Sequence, residues 1–268
     1  MKIFLSLLMI STTKAFCSKS PNSFRHCIPL TLRMTSSEVV AFAGPSLPDI
    51  SPSTKRLFLV RHGEVMNPGG DRTVYYGAMD VPLSALGENE AKAAGMYLAQ
   101  FDLQTVAASP LSRAVYGANQ VMVRQKASVG DMLVLEGFRE LDRGAWCGLT
   151  KEEITPELMT RFDACDESVT PEGGESFNFL KERVLKARDI VLDQTSPGRA
   201  SAVVSHLQVT RSLLSDALGI PTSEMAELKV ATASVTCIDY DASSGTQTVH
   251  FQSFKPDAGL TTSRDGAN

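Results

Sequence analysis

Short runs of apolar residues alternate along the chain with longer segments in which apolar residues recur every three or four positions. The runs Leu57-Phe58-Leu59-Val60 and Ala202-Val203-Val204 have the length and composition of buried strands. The clearest helix is predicted over 175–194, where apolar residues follow steps of three and four at Phe177, Leu180, Val184, Ala187 and Val191. This alternation predicts an α/β fold, a three-layer α/β/α sandwich with a mostly parallel central sheet.

The bounds of the elements follow from the same pattern and from residues that start or stop helices. Strands are expected at residues 56–60, 105–108, 131–135, 202–204, 230–240 and 246–252. Helices are expected from the N-cap candidate Ser84 to about 100, from Ser109-Pro110 to about 125, and over 175–194 and 209–218, with two short pieces within 151–163. Gly219 and Pro221 stop the helix over 209–218.

The first 45 residues differ in composition from the rest of the chain. The apolar run 3–10 is too short to span a bilayer, and Thr13 and Ala15 stand at −3 and −1 of a candidate cleavage site. Residues 16–40 are rich in Ser and basic residues, which is typical of a transit peptide. The order of the two signals resembles the plastid presequence of algae with complex plastids. We therefore expect delivery to the plastid, with secretion as the alternative.

Composition and charge divide the chain further. Residues 1–45 hold five basic and one acidic side chain, while the rest holds 21 basic and 29 acidic ones. An acidic body argues against nucleic acid as a partner, so any anion site must be a local basic pocket. We expect a targeting presequence with the start of a linker over 1–45, a proline-containing linker over 41–54, a folded domain over 55–255 and a flexible tail over 256–268. The five cysteines have no metal-site spacing and are interpreted as free thiols.

Polar residues of catalytic type follow four of the expected strands. Arg61 and His62 follow the first strand, Arg113 comes one helical turn after the second, Glu140 follows the third and His206 follows the fourth. Because the carboxyl ends of parallel strands meet at one edge of a sheet, these side chains should converge on one spot.

Six short motifs contain these residues and follow one another in a fixed order. They are Leu59-Val60-Arg61-His62-Gly63-Glu64, Tyr76 to Gly87, Ala108-Ser109-Pro110-Leu111-Ser112-Arg113-Ala114, Glu140 to Thr150, Gly173-Gly174-Glu175-Ser176 and Val203-Val204-Ser205-His206. With them, the chain resembles the histidine phosphatase superfamily, branch 1, also called the phosphoglycerate mutase-like family, over about residues 56–215. Any one motif alone would be weak, whereas six in the family's order are specific.

The resemblance implies a role for each polar residue at the strand ends. His62 would attack phosphorus and form a phosphohistidine. Arg61, Arg113 and His206 would hold the phosphoryl oxygens, whose charge spreads in a loose transition state. Glu140 would protonate the leaving oxygen and then take a proton from the attacking water. No metal ion and no cofactor is expected, since the arginines supply the positive charge.

Other positions are expected to contribute less to the chemistry. Asn67 and Gly77 are candidates for substrate binding, although Asn67 stands one residue nearer to Glu64 than its counterpart in the family. Arg139 and Arg143 are interpreted as solvated loop residues, and either could contact a substrate anion. Family members often have glycines after the second histidine, where this chain has Leu207-Gln208.

A short segment of about thirty residues between the Glu140 motif and Gly173 favours hydrolysis over mutase activity, because a short cap lets water reach the phosphohistidine. We expect a phosphomonoester hydrolase acting on a small phosphorylated metabolite. The alternatives are a phosphoglycerate mutase or a fructose-2,6-bisphosphatase-like enzyme and, third, a non-catalytic phospho-ligand binding protein. No membrane partner is expected for the mature form, and the oligomeric state is left open.

Overall fold

The computed structural model describes residues 44–126 and 129–256. Its strands are β1 (Thr54–Arg61), β2 (Leu103–Ala108), β3 (Leu133–Val134), β4 (Ala200–Ser205), β5 (Val235–Asp241) and β6 (Gln247–Phe254). Its α-helices are α1 (Ala85–Leu98), α2 (Ser112–Met122), α3 (Lys151–Ile154), α4 (Pro156–Asp163), α5 (Phe177–Asp193) and α6 (Leu207–Leu218). The expected presequence, apart from its last two residues, and the expected tail, apart from Pro256, lie outside the described residues.

Within the described part of the chain, the six strands form one sheet in the order β3-β2-β4-β1-β5-β6. β3, β2, β4 and β1 pair parallel with one another, whereas β5 pairs antiparallel with both β1 and β6. The prediction of an α/β fold with a mostly parallel central sheet is therefore confirmed.

Helices cover both faces of the sheet because successive residues of a strand point to opposite sides. In β1, Leu57 and Leu59 are buried in a cluster with α5 and α6, whereas Phe58 and Val60 are buried in a cluster with α1 and α2. Full burial of one such side chain contributes about 1.5–3 kcal/mol. Because β1 is apolar on both faces, it stabilises the packing of both helix layers against the sheet.

Side chains and turns define where the helices begin and end. The predicted N-cap is confirmed, since Ser84 Oγ accepts a hydrogen bond of 3.1 Å from the backbone N–H of Gly87. The predicted stop is also confirmed, since Gly219 ends α6 in the left-handed conformation at φ 67°. Asp80 accepts bonds of 2.8 and 2.7 Å from the backbone N–H and the hydroxyl of Ser112, so α2 begins there rather than at Ser109-Pro110.

Two expected strands are shorter in the structure. β3 contains only Leu133 and Val134, because their partners Ala107 and Ala108 are the last residues of β2. β5 begins at Val235 rather than at 230, and the preceding residues bond to the end of β1 instead. Arg61 Nη1 donates to the carbonyl of Val230 at 2.7 Å, and the backbone N–H of Ala233 donates to the carbonyl of His62 at 3.0 Å.

The segment before β1 packs on the sheet. Leu47 and Ile50 contact the cluster formed with α1 and α2, and the carbonyl of Pro48 accepts a 3.0 Å bond from Arg56. Cys147, Cys165 and Cys237 are free thiols. Across residues 44–126 and 129–256, no helix is long and apolar enough to cross a membrane.

Candidate active site

The sheet brings the ends of β1 and β4 side by side. Arg61 and Ser205 are register partners, and the backbone N–H of His62 donates to the carbonyl of Ser205 at 2.9 Å. As a result, the rings of His62 and His206 lie 5.1 Å apart between centroids, at an interplanar angle of 60°. The convergence expected from the strand ends is therefore present for both histidines.

His62 is buried, with 3% of its surface exposed. Its Nδ1 lies 2.7 Å from the carbonyl oxygen of Gly63. A carbonyl oxygen only accepts, so Nδ1 carries the ring hydrogen and Nε2 keeps a lone pair. Burial lowers the pKa of His62 well below 6.5, and the nearby Arg113 and Arg61 lower it further. The ring is therefore neutral and can act as a nucleophile.

His206 is fully buried at the start of α6. Its Nε2 lies 2.7 Å from Ser109 Oγ, and Nδ1 has no hydrogen-bond partner among the described residues. Burial lowers the pKa of His206 well below 6.5, and Arg113 and His62 add to the effect. If the Ser109 hydroxyl donates to Nε2, the hydrogen on Nδ1 is available to a ligand oxygen.

Two buried arginines give the site its positive charge. Arg61 is held by the Val230 carbonyl described above, and Arg113 donates to the carbonyls of Met79 at 2.6 Å and Gly77 at 2.9 Å. Within the described part of the chain, no carboxylate lies within 4 Å of Arg113 to neutralise it, and its Nε has no partner there. Burial lowers the pKa of both guanidinium groups. An anion therefore fits here, as expected for a local basic pocket in an acidic protein.

Glu140 lines a narrow pocket together with Tyr76, Gly77, Leu141, Arg143 and Gln208. Its two carboxylate oxygens accept from the backbone N–H of Leu141 at 2.8 Å and of Gln208 at 3.3 Å. The second donor belongs to the first turn of α6, where unpaired backbone N–H groups favour a carboxylate. These bonds hold the carboxylate at the pocket wall.

Arg183, on α5, fixes the loop that carries Glu140. Its guanidinium donates to the carbonyls of Gly137 at 3.0 Å, Arg139 at 2.7 Å and Glu140 at 3.3 Å. It also pairs with Glu175 through bonds of 2.8 and 2.6 Å. Sequence periodicity places Arg183 only on the polar side of a helix, so its contacts with a loop about forty residues earlier were not predicted.

Backbone contacts dock α1 against the turn that carries His62. A Cβ atom at Gly63 would collide with the backbone of Gly87, and one at Gly87 would collide with the backbone of Glu64. Ser84, the N-cap of α1, donates to the Glu64 carboxylate at 2.8 Å. Glu64 thus connects the turn that carries His62 to the N-terminus of α1.

The remaining predicted residues differ in their placement. Gly77 lies in the pocket wall, where its carbonyl holds Arg113. Asn67 is exposed, and its amide donates to the carbonyls of Gly70 and Arg72 within its own loop, so the structure does not bring it to the group around His62. Its role in substrate binding stays a prediction. Arg139 is partly exposed, whereas Arg143, which was also expected to be solvated, is buried.

The next feature is the distribution of side chains that can bind metal ions in the described residues. Among residues 44–126 and 129–256, no group of three or more His, Cys, Asp or Glu side chains could hold a metal ion.

Comparison with known proteins connects this geometry to a family. The model of the histidine phosphatase superfamily (branch 1) matches residues 57–252. A bifunctional protein of Mycobacterium tuberculosis is 32% identical over 213 residues, which are 77% of this chain and 57% of that protein. The chain thus matches little more than half the length of that relative. Glucosyl-3-phosphoglycerate phosphatase of Mycolicibacterium vanbaalenii is 31% identical over 180 residues, 62% of this chain and 76% of that protein.

A solved structure agrees with the fold. YhfR of Bacillus stearothermophilus superposes with a TM-score of 0.67 at 26% identity, over 77% of this chain and all of that chain.

Proposed function

The chain belongs to branch 1 of the histidine phosphatase superfamily, and we propose that it hydrolyses a small phosphorylated metabolite through a phosphohistidine at His62. The observation that carries the proposal is the buried ring of His62, whose Nδ1 bonds to the carbonyl of Gly63, beside Arg61 and Arg113 and with the Glu140 carboxylate in the adjoining pocket. A nucleophile, a cationic oxyanion site and a proton donor are the parts that phosphoryl transfer needs.

In the first step, Nε2 of His62 attacks phosphorus and the bond from phosphorus to the ester oxygen breaks. Glu140 gives its proton to that leaving oxygen, so the alcohol departs neutral. Arg61 and Arg113 hold the phosphoryl oxygens, and His206 donates from its unpartnered ring nitrogen. Both guanidinium groups are already fixed by carbonyls, so little reorganisation accompanies the reaction.

In the second step, water attacks the phosphohistidine, Glu140 accepts a proton from that water, and inorganic phosphate leaves His62. Hydrolysis needs water at the site. Between Gly148 and Gly173, the described chain forms only the helices α3 and α4, of four and eight residues. A cover this short supports access of water and therefore hydrolysis rather than transfer back to the substrate.

The test is a panel of phosphate esters incubated with the full chain, with inorganic phosphate as the readout. We expect release from at least one ester and an acid-labile phosphoenzyme. His62→Ala should abolish both, whereas His250→Ala should keep both, because His250 lies on β6 and bonds to Asp239 at 2.7 Å. Absence of release, with clean transfer between positions of phosphoglycerate, would instead identify a mutase.

We propose further that the reaction needs no metal ion. Arg61 and Arg113 supply the charge that a metal would otherwise bring to the phosphoryl oxygens. Turnover should be unchanged by a chelator such as EDTA. A loss of turnover that a divalent cation restores would contradict this.

A further inference from the structure

Ser109 is a fully buried residue that contacts the second histidine of the site and that the proposed mechanism does not use. It is the first residue after β2, as His206 is the first residue after β4. Parallel pairing places Ala108 opposite Val204, and the backbone N–H of Ser109 donates to the Val204 carbonyl at 3.0 Å. The strand register therefore fixes Ser109 beside His206.

The hydrogen bonds of the Ser109 hydroxyl define the direction in which it donates. Its Oγ accepts from the backbone N–H of Leu111 at 3.3 Å and lies 2.7 Å from Nε2 of His206. In the described part of the chain, these are its two side-chain hydrogen bonds. Because the N–H of Leu111 only donates, the hydroxyl hydrogen has Nε2 of His206 as its acceptor. A hydrogen on Nε2 would instead leave the hydroxyl hydrogen buried and unbonded, which is costly.

The protonation state of His206 makes this direction important. Burial lowers the pKa of His206 well below 6.5. Four neighbouring groups lower this pKa further, namely Arg113, His62, Arg61 and Arg183. A neutral imidazole carries one ring hydrogen and donates from one nitrogen only. With Nε2 accepting from the serine, that hydrogen lies on Nδ1, which is buried and has no hydrogen-bond partner among the described residues.

We propose that Ser109 is a positioning residue that keeps the ring hydrogen of His206 on Nδ1 and so makes this histidine a donor to the phosphoryl group. This rests on the proposed function, in which a phosphoryl oxygen lies beside His206. The other tautomer would present a lone pair of Nδ1 to an anionic oxygen and would repel it. With its lone pair bonded to Ser109, Nε2 does not compete with Glu140 for the proton of the attacking water.

Nitrogen-15 NMR of the histidine-labelled full chain, without ligand, tests the tautomer directly. The chain has four histidines, and the signals that disappear in His206→Ala are those of His206. At neutral pH we expect Nδ1 to have the chemical shift of a ring nitrogen that carries hydrogen, and Nε2 that of a nitrogen that does not. In Ser109→Ala, the tautomer with hydrogen on Nε2 should become detectable. Hydrogen on Nε2 in the wild-type chain would overturn the proposal, whether or not the chain hydrolyses an ester.

Activity should depend on the hydroxyl rather than on packing. Ser109→Ala should lower kcat by about 10- to 100-fold, at or below the smallest loss that removal of one oxyanion donor causes. Ser109→Thr retains the hydroxyl and should recover most of that loss. The matched control is Ser201→Ala, which removes another fully buried hydroxyl, bonded to Thr195 on the far side of β4 from the site's end. It should leave kcat per folded molecule unchanged.

A double variant shows whether Ser109 acts through His206. Ser109→Ala combined with His206→Ala should have the kcat of His206→Ala alone, because the interaction is already lost. Losses that multiply would overturn the proposal, and so would a Ser109→Ala variant with the kcat and the tautomer of the wild-type chain. If the wild-type chain hydrolyses no ester, the proposed function fails and binding of inorganic phosphate replaces kcat as the readout. Weaker binding to Ser109→Ala than to Ser201→Ala would then support the role of Ser109, and equal or absent binding would refute it.

Discussion

Replacement of Arg183 tests whether α5 positions the Glu140 loop. Arg183→Met removes three hydrogen bonds to the carbonyls of Gly137, Arg139 and Glu140 and leaves the Glu175 carboxylate, which is only 10% exposed, without its partner. The pair is partly buried, so leaving Glu175 unpaired costs less than the about 3–5 kcal/mol of a fully buried pair. A loss of about 1–3 kcal/mol, as for an unsatisfied polar group, lowers Tm by about 2–12 °C in a domain of this size.

Activity should fall separately from stability. A loop that is no longer tied to α5 can displace the Glu140 carboxylate by about 1 Å, and such a displacement costs on the order of 100-fold in rate. We expect kcat/KM per folded molecule to fall about 10- to 100-fold in Arg183→Met. Urea unfolding gives the stability, and phosphate release at a temperature well below Tm gives the activity.

A double variant distinguishes the two effects. Arg183→Met combined with Glu175→Gln removes the unpaired, partly buried charge, so part of the lost stability should return. The bonds to the loop carbonyls remain absent, so kcat/KM should stay low. If activity recovers in step with stability, or if Arg183→Met retains wild-type kcat/KM while folded, Arg183 does not position Glu140.

Three further predictions concern the proton donor, the histidines and the presequence. Glu140→Gln should slow esters with poor leaving groups most, measured across a series of alcohols of increasing pKa, and a uniform effect would contradict its role as an acid. Because the pKa values of His62 and His206 are lowered in the folded state, both rings should be neutral at pH 6.5 in NMR titrations. The unfolded chain then binds more protons as pH falls, so the free energy of unfolding should decrease below about pH 6.5, and midpoints at or above 6.5 would refute this. We propose that a fluorescent fusion of residues 1–45 reaches the plastid in an alga with a complex plastid, and its appearance in the medium would indicate secretion instead.

The sequence predicted the parts of the site that depend on strand order. Arg61, His62 and His206 lie at the ends of buried apolar runs. Parallel pairing of such runs brings their ends together regardless of the conformation of the connecting loops. The N-cap Ser84 and the stop at Gly219 were predictable for a similar reason, because caps and stops depend on neighbouring residues only.

Contacts between distant segments were not predictable in this way. Arg143 has the sequence context of a polar loop. Its burial depends on Tyr75, which lies far before it in the sequence, and on Phe162, which lies after it. Residues 230–234 alternate like a strand, yet they leave the ladder because Arg61 and His62 bond to their backbone. In these places tertiary contacts outweigh the local pattern.

The contact between Gly63 and Gly87 has a consequence for how substitutions at this site are tolerated. Neither glycine offers a side chain to a ligand, yet each lies where any Cβ atom would strike the backbone of the other segment. A saturation library should therefore accept only glycine at both positions, while the exposed Ala85 in the same helical turn accepts many residues. In an experiment that measures only which substitutions are tolerated, the two glycines would look like catalytic residues. Their intolerance has a different cause, which is the close approach of two backbone segments that leaves no room for a Cβ atom.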